Sequence, residues 1–326
     1  MKKTLVAIAA LAAVTGAMAQ VTISGIVDQS VTRVVTKDSS ASTTATTTSI
    51  GSQYTGADLN IGGSEDLGNG LTARFNVGMF LDADGAFGTN PSNYQSFAGI
   101  AGGFGDVQIG QFFSVMHSVN ASYDAAGYSQ VNTSHQVTQG ASGAVGGNLG
   151  QLVANHVQYT LPKLVDGLTV KVSKAYGEAA FGDQTQFGAM YSAGGFGAGY
   201  AQSRESTSAT TTTAKSSYGL SYDFGVAKVV YSAQARKLST EATGDTGTQY
   251  GVIVPFGALS IGVSMTSYKM PSMADNTGGS GYNVLAKYDL SKRTSLIAQT
   301  GRDTIDTGNN QGDTSAQTSF GLWHSF

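Results

Sequence analysis

The sequence has 326 residues, of which 44 are glycine and none is cysteine, and its formal net charge is −3 at pH 7. The lack of cysteine excludes a disulfide scaffold, a thiolate metal site and a cysteine nucleophile, and the charge excludes the broad basic surface that nucleic-acid binding needs. Only 12% of the residues are charged, against roughly 25% in soluble domains, which indicates a surface that is not solvated by water alone.

The N-terminus has the three parts of a secretory signal peptide. Lys2 and Lys3 form a short positive region, residues 5–14 are an unbroken apolar run, and residues 17–19 are a small-residue cleavage site. We therefore predict that residues 1–19 are removed and that residues 20–326 form the mature protein. Because no later run is long and apolar enough for a transmembrane helix, the mature chain is predicted to be either a soluble secreted protein or an outer-membrane barrel.

The remaining sequence alternates between apolar and polar residues with the period of β-strands. In residues 71–81 every odd position is apolar, whereas the even positions include Thr72, Arg74 and Asn76. The same alternation follows in residues 153–161, 218–224, 259–265 and 282–290. A soluble β-sandwich would show this alternation as well, so it predicts an all-β protein without settling which surface meets water.

The lengths of the connections favour a membrane barrel. Seven short turns are predicted, at residues 66–70, 102–106, 164–167, 193–197, 223–226, 255–258 and 289–292. Eight longer polar stretches lie between and outside them, at residues 36–53, 82–92, 114–150, 177–184, 203–215, 239–247, 270–280 and 303–314. Fifteen connections give sixteen strands, and an even number of strands with short turns at one end and long loops at the other is typical of bacterial barrels.

Aromatic residues on the apolar parity near the turns support the same architecture. They are Tyr159, Phe187, Tyr222, Phe224, Phe256 and Tyr288. Aromatic rings are enriched at the boundary between membrane and water. Sixteen strands enclose a bore wide enough for an aqueous channel. The fold class predicted is therefore an antiparallel transmembrane β-barrel.

Several turn motifs resemble those of the Gram-negative general porins of β-proteobacterial type. They are residues 63–71 (GSEDLGNGL), 103–110 (GFGDVQIG), 221–228 (SYDFGVAK) and 290–294 (LSKRT), together with residues 21–28 (VTISGIVD) and the closing FGL with Phe326. The resemblance runs through the whole mature chain. It implies a sixteen-stranded homotrimeric channel in the outer membrane, set among lipid and lipopolysaccharide. It also implies a third loop folded into the lumen and a terminal phenylalanine read by the barrel-assembly machinery.

Three positions depart from the pattern of that family. Porins of this type usually carry arginines in the constriction wall, and the corresponding residues are here Gly62, Gln111 and Gln158. All three are uncharged, and the chain contains only six arginines. The anion selectivity that the resemblance implies is therefore not carried over to this sequence.

Strand parity predicts which side chains line the pore. A charge on the lipid face costs about 2–4 kcal/mol at the midplane, so charged residues on the polar parity should face water. This parity predicts a wall lined by Arg74, His156, Gln158, Lys171, Arg236 and Lys287, and the resemblance adds Gln111. Lys228 has the same parity but lies close to a turn.

Residues 114–150 are predicted to be the constriction loop, because they form by far the longest connection. Asp124 is the only carboxylate of this loop, and glycines would allow it to lie close to the wall. The predicted mechanism is a size filter with a weak transverse field between Asp124 and a wall cation such as Arg74. Small hydrophilic solutes and ions would pass by diffusion.

No motif indicates catalysis, a cofactor or a metal ion. The four histidines lie near no nucleophile motif such as G-x-S-x-G, so neither an enzyme nor a bound cofactor is predicted. Two alternatives to a general channel remain open. A substrate-specific porin could use Phe112, Phe113, Tyr123 and Tyr128 as a track for its solute, although packing of the loop is the simpler use. A structural or adhesive barrel would not conduct.

Overall fold

The computed structural model describes residues 20–81, 93–127, 152–177, 182–206, 208–271 and 277–326. The predicted signal peptide, residues 82–92 and residues 128–150 of the predicted constriction loop lie outside this description. The described chain forms one antiparallel sheet, in which β1 pairs with the last strand so that the ring closes.

The strands follow one another along the chain, with one helix, α1 (Val115–Ser122), after the sixth. The first nine are β1 (Gln20–Asp38), β2 (Thr43–Gly51), β3 (Asp58–Gly68), β4 (Leu71–Phe80), β5 (Asn93–Gly102), β6 (Gly105–Phe113), β7 (Leu152–Thr160), β8 (Leu168–Ala175) and β9 (Gln184–Ala193). The remaining eight are β10 (Phe196–Ser206), β11 (Thr212–Asp223), β12 (Lys228–Leu238), β13 (Asp245–Phe256), β14 (Leu259–Met270), β15 (Thr277–Asp289), β16 (Thr294–Thr307) and β17 (Thr314–Ser325).

These seventeen runs occupy sixteen positions in the barrel, which confirms the predicted strand number. β2 and β3 both pair with β1: β2 pairs with residues 30–38 and β3 with residues 20–26. They are therefore two halves of one interrupted strand. Each of the other strands pairs with its neighbours in sequence, and β1 pairs with β17 from Ile26 to Lys37.

The seven short turns lie where the sequence places them. The turn between β9 and β10 needs only Gly194 and Gly195, both at positive φ (57° and 84°), a conformation that glycine adopts without steric cost and that suits a tight hairpin. At the other end the strands extend into several stretches predicted as loops. Within residues 36–53, β1 continues to Asp38 and β2 covers residues 43–51, and β10 continues to Ser206. The predicted alternation could not reveal these extensions, because their residues are polar at both parities.

Alternate side chains face inward and outward as the parity predicted. On β11, Lys215 and Ser217 are buried inside the barrel, whereas Tyr218 and Leu220 are each 49% exposed on its outer surface. β12 and β14 repeat this pattern. In a closed sheet whose outer face is apolar and whose inner face is polar, lipid is the solvent outside. Within the described residues, no helix combines the length and apolar character needed to cross a bilayer.

Candidate functional site

The first part of the predicted constriction loop lies inside the barrel. Ser114 caps α1 by accepting a hydrogen bond from the backbone N–H of His117 (2.9 Å), and α1 contacts strands β8 to β11. Its apolar face packs into a small cluster with the wall, formed by Val115, Met116, Val119, Tyr123, Ala201 and the partly buried Met190. The loop is therefore held against one side of the lumen.

Polar contacts fix the same helix at both ends. The backbone N–H of Val115 donates to Oε1 of Gln186 on β9 (2.9 Å). The hydroxyl of Ser217 on β11 donates to Oδ1 of the buried Asn120. Because a buried polar group without a partner costs about 1–3 kcal/mol, these contacts hold α1 in one position on the wall.

The wall beneath the loop is built from glycines, which we call the glycine floor: Gly188, Gly199, Gly219, Gly251 and Gly262. A Cβ at Gly188 would overlap Val115, and Cβ atoms at Gly251 and Gly262 would overlap Ala125. A Cβ at Gly199 would lie 2.6 Å from the Tyr123 ring, and one at Gly219 would overlap that ring. The Tyr123 ring therefore packs directly on the glycine floor.

Asp124 anchors the loop. Its side chain is 5% exposed, and its Oδ1 accepts hydrogen bonds from the backbone N–H of Ala126 (2.8 Å) and from Nε2 of Gln249 on β13 (2.7 Å). The Asp124 carboxylate is directed to β13, and the transverse field between Asp124 and Arg74 stays a prediction.

Arg74 and Lys171 lie together on another part of the wall. Arg74 forms an ion pair with Asp106 on β6, and Lys171 lies close enough to Arg74 for their positive charges to repel each other. Both side chains are partly exposed on the inward parity. This group carries two positive charges and one negative charge.

Arg236 and Lys287 have acidic partners. Nε and Nη2 of the buried Arg236 lie 3.1 Å and 3.0 Å from Oδ2 of Asp245, and Glu241 lies 3.5 Å away. Lys287 pairs with Asp289 and lies 6.0 Å above the ring of Trp323. Lys215, which the sequence analysis did not select, pairs with Glu205 (3.0 Å). Much of the positive charge on the wall is therefore neutralised locally.

His156 and Gln158 face inward on β7 but are buried, at 1% and 4% exposure. The His156 ring stacks on Phe112, with 4.4 Å between the ring centroids. Phe113 stacks in the same way on His117 (4.0 Å). The first stack joins two strands of the wall, whereas the second, like Tyr123, packs the loop against the barrel. Tyr128 lies outside the described residues.

Gln111 is a correction to the predicted wall. It pairs with Ser96 and shares the face of Ile109, which is 59% exposed on the outside of the barrel. Its Nε2 donates to the backbone carbonyl of Tyr94 (3.0 Å). The inward positions of this part of β6 are Gly110 and Phe112, so Gln111 does not belong to the lumenal set.

Asp106 and Asp28 are among the lumenal carboxylates of the described residues that the predicted wall does not include. Asp106 is the partner of Arg74, and Asp28 is fully buried on the inner face of β1 with Ser30 and Thr32. Strand parity indicates both. Asp28 alternates with the apolar Val27 and Val31, and Asp106 alternates with Val107 and Ile109. Within the part of the chain that the structure describes, no group of His, Asp and Glu side chains could hold a metal ion.

Several known proteins are similar to this chain in sequence and in fold. A family model described as "Gram-negative porin" matches residues 7–308. Outer membrane porin protein 32 of Delftia acidovorans is 30% identical over 243 residues, which cover 70% of this chain and 68% of that protein. Major outer membrane protein P.IB of Neisseria meningitidis serogroup B is 36% identical over 120 residues, 36% of this chain. That match spans only 35% of the length of the neisserial protein.

Solved structures agree over nearly the whole chain. An anion-selective porin from Comamonas acidovorans has a TM-score of 0.83 at 21% sequence identity, with 95% of this chain and all of that chain (100%) covered. A trimer form of OmpT, an outer membrane protein of Vibrio cholerae, has a TM-score of 0.69 at 13% identity, with 94% and 99% covered. These two similarities establish the shared barrel.

Proposed function

Because this chain belongs to the Gram-negative porin family, we propose that it is an outer-membrane channel for the passive diffusion of small hydrophilic solutes and ions. The observation that carries the proposal is the docking of residues 114–127 on the inner wall of a closed sixteen-stranded barrel. A loop in this position narrows the lumen. We further propose a homotrimer set in lipid and lipopolysaccharide, assembled by recognition of Phe326, without enzymatic activity.

The proposed mechanism is a size filter with a weak electric field across the passage. Positive charge lies at Arg74 and Lys171. Negative charge lies around Tyr54, whose hydroxyl is close enough to the carboxylates of Asp289, Asp28 and Asp124 to feel their electrostatic field. Charged groups on the wall of a pore favour one sign of ion. Most charges here are paired or buried, so the field orients a passing solute without holding it.

The same arrangement bears on ion selectivity. The Comamonas structure is named as anion-selective, but in this chain Lys215 and Arg236 are paired with carboxylates, and Gln158 is uncharged. We therefore propose a weak preference between ions of opposite sign, with Arg74 as its main adjustable charge.

Replacement of Arg74 by glutamate is expected to shift the reversal potential toward cations. The change removes a positive charge beside Asp106 and adds a negative one, in a lumen where such charges are only partly screened. The measurement is the reversal potential of single channels in a planar bilayer under a salt gradient. Lys163→Glu is the control. It makes the same change of charge, but on the exposed turn at residues 161–167 and not in the lumen. Equal reversal potentials for Arg74→Glu and wild type would contradict the placement of Arg74 at the constriction.

A series of uncharged sugars of increasing mass is expected to enter liposomes at rates that fall smoothly with size. This follows because Phe112 and Tyr123 are buried in packing contacts rather than exposed as a track. Liposome swelling measures the rates. One sugar that enters much faster than its mass predicts would favour a substrate-specific porin, and absence of both swelling and conductance steps would favour a structural or adhesive barrel.

A further inference from the structure

Residues 52–57, which connect β2 to β3, run along the inside of the barrel, and we call them the inner segment. They interrupt the strand position next to β1, and every wall side chain that holds them faces the lumen. Their conformation includes Gly56 at a φ of 87°, a backbone geometry that favours glycine. The predicted long loop at residues 36–53 includes only the first two residues of this segment.

Asp28 on β1 holds the backbone of the inner segment. Its Oδ2 accepts hydrogen bonds from the backbone N–H groups of Tyr54 (2.8 Å), Thr55 (3.0 Å) and Gly56 (3.2 Å). The hydroxyl of Ser52 donates to the backbone carbonyl of Asp28 (2.9 Å). Hydrogen bonds to an ionised carboxylate are roughly twice as strong as neutral ones, so this side chain fixes the position of three consecutive residues.

Strands β16 and β17 hold the other side of the inner segment. Nε2 of Gln317 donates to Oε1 of Gln53 (2.6 Å), and Nε2 of Gln299 lies 3.4 Å from the backbone carbonyl of Gln53. Nε1 of Trp323 donates to the hydroxyl of Thr55 (2.9 Å). The inner segment therefore lies across the seam where β17 meets β1.

The inner segment also meets the third loop. A Cβ at Gly127 would lie 3.0 Å from the ring and the hydroxyl of Tyr54, so the ring lies directly against the end of the described part of that loop. Asp124, three residues earlier, contributes to the electrostatic field at the Tyr54 hydroxyl. The lumen is thus occupied from two sides, by α1 and residues 123–127 on strands β8 to β14, and by the inner segment on β1, β16 and β17.

We infer that the inner segment is a second constriction element, that the exposed Thr55 lines the passage, and that Asp28 is the residue that positions it. This inference rests on the proposed channel function, because it assigns part of the pore's narrowing to residues outside the third loop. Solutes would then pass between two docked segments, each fixed to a different part of the wall.

Cysteine labelling tests the position of Thr55, since the chain has no cysteine of its own. Thr55→Cys channels in a planar bilayer are treated with a charged, membrane-impermeant methanethiosulfonate, and we expect a stepwise loss of single-channel conductance. Val31→Cys is the control, because Val31 is on the outer face of β1 and its labelling should leave the current unchanged. A Thr55→Cys channel that conducts but neither loses current nor gains the mass of the reagent would overturn the inference.

A second pair of variants tests the positioning role of Asp28. Asp28→Asn removes the charge that accepts three N–H groups, so we expect a noisier and larger open-channel current. When Asp28→Asn is combined with Thr55→Cys, we also expect the introduced thiol to be labelled faster than in Thr55→Cys alone. Ser30→Ala changes the next inward residue of β1, which makes no hydrogen bond to the inner segment in the described structure, and should behave as wild type. Unchanged noise, current and labelling rate in Asp28→Asn would contradict the role of Asp28, whereas a wild-type protein without conductance would contradict the channel function itself.

Discussion

Exchange of Ile109 for arginine is expected to lower the free energy of unfolding in a lipid bilayer by about 2–4 kcal/mol, the cost of a basic residue on the lipid face near the midplane. Ile109 lies at the centre of β6, and its side chain is 59% exposed on the outer surface. The guanidinium would leave water for hydrocarbon without a partner. Urea titration of the protein folded into lipid vesicles, followed by Trp323 fluorescence, measures the change.

The neighbouring residue provides the matched control. Gln108 precedes Ile109 on the same strand but faces the lumen, where it pairs in register with Gln158. Gln108→Arg places the same side chain at nearly the same depth in an aqueous environment, so it should cost much less. Equal losses of stability for the two variants would contradict the assignment of the outer face to lipid.

Replacement of Gly219 by alanine is expected to displace Tyr123 and with it the docked part of the third loop. The added methyl group would overlap the base of the Tyr123 ring, which cannot bend away as a flexible chain end could. Overpacking of this kind costs about 1–3 kcal/mol. We expect lower resistance to heat or urea and a changed single-channel conductance, both measurable on the same preparation.

Two further variants separate this effect from a general effect of alanine. Gly103→Ala adds a methyl group where no atom lies within 4 Å, so it should leave conductance unchanged. In Gly219→Ala combined with Tyr123→Ala the overlap is absent, and the two effects should therefore be non-additive, as is usual for residues in contact. Strict additivity would mean that Tyr123 does not rest on the glycine floor.

The barrel could be predicted because its pattern is local. In residues 71–81 each side chain meets either lipid or water, so the order of apolar and polar residues reports the direction of each one. The same reasoning placed Arg236 inside, although its partner Asp245 lies on the next strand and the pairing leaves no signal in the local sequence. The resemblance to other porins places Gln111 in the wall, whereas the parity that it shares with the outward-facing Ile109 places it on the outer face.

The inner segment could not be predicted for a physical reason. Except for Tyr54, residues 52–57 are small or polar, and such residues suit both an external loop and a water-filled lumen. Their direction is set by Asp28, Gln317 and Trp323, the last two of which lie far along the chain on its final strand. The position of residues 115–125 depends likewise on glycines of five different strands. Each of these glycines looks like an ordinary small residue within its own strand.

The apolar cluster around Val119 gives the two inward segments different responses to temperature. Burial of apolar surface becomes less favourable on cooling, and the third loop depends on that burial at Val115, Met116 and Val119. The inner segment depends instead on hydrogen bonds to a carboxylate. On cooling, the apolar contribution to the docking of residues 115–123 therefore weakens, whereas the hydrogen bonds of Asp124 and those of the inner segment do not depend on that term.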